Sequence, residues 1–197
     1  MKDPGVGPVG TIVAERYCVT IKNLILPGLL AASLFALSGP LQAQDRREGG
    51  HTQLALDLEY AGAIDQGDVT TGAGGAIRLG SQTDLLLLSL TGEIGGSYHQ
   101  LGGVPEVTAY RGFLGGRISV GKIIEPGVYG HLGIGSLAPD PGDSRTAATF
   151  DAGLFLDLTV LPLVDLGIHA GYVTLLGNDD LDAFDYYVAG AHAALIF

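Results

Sequence analysis

From residue 52 onward, apolar and polar positions alternate. In 52–60 (TQLALDLEY), Leu54, Leu56, Leu58 and Tyr60 share one face, and Gln53, Ala55, Asp57 and Glu59 share the other. In 86–98, Leu86, Leu88, Leu90, Ile94 and Tyr98 oppose Ser89, Thr91, Glu93 and Ser97. In 108–120, Tyr110, Leu114, Ile118 and Val120 oppose Arg111, Phe113, Arg117 and Ser119. In 148–160, Phe150, Leu154, Leu156 and Leu158 oppose Asp151, Phe155, Asp157 and Thr159. A period of two marks a strand with unlike faces. Segments 71–80, 127–136, 164–175 and 186–197 follow more weakly, because Gly and Ala dilute both faces. The pattern predicts eight strands. Short connections at Gly80–Thr83, Gly121–Pro126 and Leu161–Leu163 alternate with longer polar ones at 62–69, 99–106, 137–146 and 176–185. An even number of strands joined in this way predicts an all-β, eight-stranded antiparallel up-and-down barrel.

Alternation alone serves two barrels. A soluble, lipocalin-like barrel turns its apolar face inward, and a transmembrane barrel turns it outward. The apolar faces of 52–60, 86–98 and 148–160 carry no charge. The polar faces hold Gly, Ser, Thr, Asp and Arg but no Lys, unlike a solvated surface. Tyr60, Tyr98, Tyr110, Phe150, Tyr172 and Tyr187 all fall on the apolar face, toward the strand end beside a longer loop. That is the placement of an interfacial aromatic girdle. The transmembrane arrangement is therefore expected.

Composition agrees. Charged residues make up only 16% and hydrophobic residues 47% of 197, with Gly 32. This excludes disorder, which needs high charge and low hydropathy. A net charge of -11 argues against nucleic acid as a partner. A single Cys excludes a disulfide framework. Residues 24–41 (LILPGLLAASLFALSGPL) form an apolar run preceded by Lys22 and followed by Leu41-Gln42-Ala43. A basic residue, an apolar stretch and a small residue at the boundary read as a secretory signal peptide. Pro27, Gly39 and Pro40 argue against a permanent transmembrane helix. The expected organisation is a signal peptide over 1–43, a short segment over 44–51 and the barrel over 52–197. Residues 1–18 are long for a leader and contain acidic Asp3 and Glu15, and initiation at Val19 would exclude them together with Cys18. Cleavage after Ala43 would leave seven basic and nineteen acidic residues, a net charge of −12.

The signal peptide, the eight alternating segments and Phe197 on the apolar face of the last one together resemble the small Gram-negative outer-membrane β-barrels of the OmpA and OmpX type. The usual Gly five residues before the terminal aromatic is here His192, with Gly190 nearby. The resemblance implies location in the outer membrane after secretion. It also implies contact with outer-membrane lipid and lipopolysaccharide, and recognition of Phe197 as an assembly signal by the barrel-assembly machinery. A monomer is expected.

With the Leu-rich faces outward, the lumen would hold Asp57, Glu59, Arg78, Glu93, Arg111, Arg117, Asp151, Asp157 and Asp165, with His131, His169 and His192. Height along the strands groups Arg111 with Asp57, Glu59, Glu93 and Asp151, and Arg78 and Arg117 with Asp157 and Asp165. Buried charges must pair, so a charged plug is the expected filling, and a narrow ion or solute pore is the alternative. His169 and His192 would be neighbours, but a metal site needs three or four converging ligands. Hydrogen-bonded histidines with no metal and no cofactor are expected. The acidic loop Asn178–Asp182 lacks the order of an EF-hand. No catalytic residue emerges. The outer-membrane lipid A deacylases pair a His with a Ser two residues later, and His51, His99, His131, His169 and His192 all lack that Ser. A structural or surface-interaction protein is the expected role. A lipid A-modifying enzyme and a soluble lipocalin-like binding barrel are the remaining alternatives.

Overall fold

The computed structural model describes residues 50–161, 163–177 and 182–197. The expected signal peptide over 1–43, residues 44–49 and most of the acidic loop lie outside the described residues. Eight strands follow one another: β1 (His51–Ile64), β2 (Thr71–Leu85), β3 (Leu88–Leu101), β4 (Glu106–Val120), β5 (Ile124–Asp140), β6 (Arg145–Leu161), β7 (Val164–Leu175) and β8 (Phe184–Ile196). Each pairs antiparallel with its sequence neighbour, and β8 pairs with β1 to close the barrel. The expected up-and-down topology is the observed one. Closure matters because an open sheet edge leaves a row of backbone N–H and C=O groups unpaired, which hydrocarbon does not tolerate.

The strands are longer than their apolar patterns predict. β2 does not end at Gly80–Thr83. It runs on to Leu85, which faces Leu88 across the two-residue turn Leu86–Leu87. Gly-Ser-Gln-Thr reads as turn chemistry, but Gln82 is a buried lumen residue whose amide oxygen accepts from Thr91 Oγ1 at 3.2 Å. Asp84 then clamps the hairpin, accepting from Gln82 Nε2 at 2.8 Å and Ser89 Oγ at 2.7 Å. β5 likewise begins at Ile124 instead of residue 127. At the other end, the connections expected over 62–69, 99–106 and 137–146 shrink to 65–70, 102–105 and 141–144.

Those extra strand residues share an interior. Ala61, Leu101, Val107, Ala109, Leu137, Ala147, Val173, Leu175, Phe184, Tyr186 and Val188 form a buried apolar cluster inside the barrel at the long-loop end. The expected charged plug therefore fills only part of the lumen. Its long-loop end is a small hydrophobic core, its middle is ionic, and Gln53, Gln82, Ser89, Thr91 and Ser119 line the short-turn end.

Candidate functional site

The outer surface carries an apolar belt. Leu56, Leu58, Ile77, Ile94, Leu114, Leu132, Leu154 and Ile168 all point outward, Leu58 being 70% and Leu154 65% exposed. The six aromatics of the expected girdle point outward as well, with Tyr98 and Tyr110 rings 5.3 Å apart and Tyr60 and Tyr187 rings 6.4 Å apart. They sit three to five residues inside the strand ends, not at the ends as the sequence predicts. From Leu88 to Tyr98, a rise of about 3.3 Å per residue at a tilt of about 40° gives about 25 Å, the height of a lipid-facing band. The opposite boundary of the belt is the leucine turn, where Leu86 is 94% exposed.

Inside, strand register sets the pairing. Arg78 faces Ala55 on β1 and Gly95 on β3, so Asp57 and Glu93 are its diagonal neighbours. Its Nη2 and Nε donate to Asp57 Oδ1 and Oδ2 at 2.8 and 3.0 Å, and its Nη1 donates to Glu93 Oε2 at 3.0 Å. This corrects the grouping by height. Counting from a turn at 80–83 puts Arg78 low, whereas the turn lies at 86–87 and raises it to the level of Asp57 and Glu93. Arg111 Nη2 pairs with Asp151 Oδ2 at 2.8 Å, and Arg117 Nη2 donates to Asp157 Oδ2 at 2.9 Å while stacking 3.7 Å over the Phe155 ring. Asp165 is buried on the lumen face of β7. Among the described residues, Asp57, Glu59, Asp84, Glu93, Glu125, Asp151, Asp157 and Asp165 face the lumen with Arg78, Arg111 and Arg117, so acids outnumber arginines there.

Four histidines join these pairs. His131 lies between two acids, with Nε2 2.7 Å from Glu93 Oε1 and Nδ1 2.9 Å from Asp151 Oδ1. A ring that donates from both nitrogens, as imidazolium does, serves both carboxylates. Glu59 bridges His99 and His169, with Oε2 2.5 Å from His99 Nε2 and Oε1 2.8 Å from His169 Nε2. His192 Nε2 lies 2.9 Å from Asp157 Oδ1. His99 is the residue the sequence reading placed in a loop. It sits fully buried on β3, its ring edge-on to Tyr186. The signal that would have found it is the continuation of the alternation from Glu93 through Ser97 to His99.

Two glycines make room for two of these contacts. Gly190 on β8 stands between His169 on β7 and Glu59 on β1. Gly167 on β7 stands between Asp157 on β6 and His192 on β8. A Cβ at residue 167 would meet Asp157 Oδ1 at 2.3 Å and the His192 ring at 2.5 Å. In both cases a carboxylate and an imidazole meet across a strand that has no side chain there. Each strand glycine opposite a large lumen group is thus a packing requirement of a narrow barrel.

The cavity left among these groups is about 30 Å³, bordered by Asp57, Arg78, His131, His169 and His192 among others. That is about the room one water occupies. A separate cup of about 290 Å³ opens at the loop rim, lined by Gln66, Val69, Val107, Leu137, Pro139, Arg145 and Phe184.

A closed antiparallel eight-stranded barrel, apolar outside and ionic within, is the architecture of the small outer-membrane β-barrels, and its belt places this barrel in a bilayer. No protein-family model matches the sequence, nor does any curated protein sequence. Among solved structures, Neisserial surface protein A is similar, with 14% identity and a TM-score of 0.59 over 76% of this chain and 100% of that one. Ail, the attachment invasion locus protein of Yersinia pestis, matches at 15% identity and TM-score 0.48, over 76% of this chain and 99% of that one. The N-terminal β-barrel domain of Pseudomonas aeruginosa OprF matches at 15% identity and TM-score 0.46, over 75% of this chain and 99% of that one. At these identities the likeness concerns the fold.

Proposed function

We propose that this chain is a non-conducting outer-membrane barrel with a structural or surface-interaction role. The observation that carries it is the filling of the lumen. Ion pairs occupy the middle and leave about 30 Å³, and the apolar cluster covers them toward the loops. A hydrated ion needs a continuous polar path, and the apolar layer interrupts one. The same fold can be held by a salt-bridge plug because Asp57, Glu93, Asp151 and Asp157 each contact an arginine.

The loops at the working end are short, so the surface on offer is the rim itself. Its cup combines apolar walls with Arg145 and Gln66, which suits a small amphipathic group better than a broad protein face. Outer-membrane lipid and lipopolysaccharide are the partners of the outer wall. The barrel works as a monomer and reaches the membrane through the barrel-assembly machinery, which would read the outer face of β8 and the exposed Phe197 beside it. Planar-bilayer recording on the refolded barrel tests the central point. The expected result is no stepwise conductance. Reproducible channels of one unit size would overturn the plugged lumen in favour of the pore.

A further inference from the structure

Three ligand-type atoms in the lumen converge on one point. His169 Nδ1 and His192 Nδ1 are 3.4 Å apart, and Asp57 Oδ1 lies 3.8 Å from the first and 3.9 Å from the second. The outer nitrogens of both rings are already committed: Nε2 of His169 donates to Glu59 and Nε2 of His192 rests against Asp157. A carboxylate only accepts, so the His169 proton belongs on Nε2, which leaves its Nδ1 lone pair facing inward. With the same tautomer at His192, two Nδ1 lone pairs and a carboxylate oxygen face one another, and a cation between them would satisfy all three.

We propose that Asp57, His169 and His192 form a binding site for a divalent transition-metal ion of the zinc type. Tetrahedral bonds of about 2.0–2.1 Å place ligand atoms about 3.3 Å apart. The Nδ1–Nδ1 separation matches this, and a shift of a few tenths of an ångström brings in Asp57. Nitrogen and oxygen donors suit zinc, cobalt, nickel or copper better than magnesium or calcium. The Glu59–His169 and Asp157–His192 contacts are the carboxylate–imidazole arrangement that fixes ring orientation at metal sites. Gly190 and Gly167 leave the space across which those contacts form. The adjoining cavity has room for one water as a fourth ligand. Asp57 Oδ1 also accepts from Arg78, and its second lone pair remains for the metal. A double positive charge here offsets part of the acidic excess of the lumen.

The test uses the full barrel refolded in detergent in EDTA, freed of chelator and titrated with zinc, with bound metal measured after gel filtration. Folding of every variant is checked by the mobility difference between unheated and boiled samples. One zinc per folded barrel is expected, together with the ligand-field colour of tetrahedral cobalt when cobalt is used instead. His169→Ala with His192→Ala should abolish stoichiometric binding in a barrel that still shows the folded mobility. Asp157→Asn should weaken it about 10- to 100-fold. His131→Gln, outside the triad, should keep it. Folded barrel that takes up no more zinc than the double variant would overturn the site and leave a shared proton as the cation. So would loss of binding in His131→Gln with binding retained in the double variant.

Discussion

Arg78 is the group whose removal should cost the barrel most. Its guanidinium makes three charge-assisted hydrogen bonds of 2.8–3.0 Å to two acids. The acid side chains are 2% and 1% exposed. Met at 78 fills most of the volume but takes the guanidinium from both Asp57 and Glu93, leaving Glu93 only the His131 ring. Breaking one side of a buried pair costs about 3–5 kcal/mol, because an uncompensated charge remains. With two acids losing the same cation, about 4 kcal/mol is expected. At a urea slope of about 2 kcal/mol per molar, the unfolding midpoint should fall by about 2 M. The chain contains no Trp, so unfolding is best followed by gel mobility of unheated samples across a urea series, in EDTA. The decisive comparison adds Asp57→Asn and Glu93→Gln to Arg78→Met. Neutral amides remove the stranded charges, so the triple variant should recover at least half of the loss. A midpoint shift below about 0.5 M for Arg78→Met would refute the pairing as a source of stability. A triple variant less stable than the single one would refute the stranded-charge explanation.

Three further outcomes probe the two faces of the wall. Gly167→Ala should destabilise by about 1–3 kcal/mol through overpacking, since its Cβ collides with Asp157 and His192. Gly92→Ala has no atom within 4 Å of its new Cβ and should be neutral or slightly stabilising in the same urea series. Leu154→Arg, at the middle of the belt, should cost about 2–4 kcal/mol in lipid vesicles. An unchanged unfolding midpoint there would remove the lipid-facing assignment of β6.

The sequence carried much of this because the bilayer imposes one rule on the outer wall. Between the leucine turn and the girdle, every outward residue must suit hydrocarbon, so Leu56, Leu58, Ile94, Leu114 and Leu154 announce their face. The acids and arginines were legible for the complementary reason, since a charge at an alternating position opposite a Leu row has only the lumen to occupy. What was not legible is which charges meet. Arg78 reaches Asp57 and Glu93 through register, and register depends on where the turn falls. The polar run Gly80-Ser81-Gln82-Thr83 imitates a turn because lumen-facing polar residues and turn residues are drawn from the same set.

The lost strand ends have a different cause. Above the girdle the phase of the pattern reverses. Leu101, Val107, Leu137, Leu175 and Phe184 point inward, while Gln100, Glu106, Thr108, Ser136 and Asp185 occupy the outward positions. Below the girdle the inward residues are Asp57, Glu93, Arg117 and Asp157, and the outward ones are leucines. A barrel that leaves lipid for water must exchange its faces, because the hydrophobic effect acts on whichever side is away from water. A period-two pattern that changes sign loses its alternation for a residue or two, and that interruption reads as the start of a loop. One sheet therefore works as a transmembrane barrel along most of its length and as a small soluble barrel at its rim. The lipocalin-like alternative describes the loop-side ends of every strand but β2, and nothing below. On the proposed reading, this exchange also closes the lumen. The apolar layer that gives the projecting rim its core is the layer that lies between the ionic middle and the loop side. A stable rim and a conducting lumen are then in conflict, and the bilayer recording tests both at once.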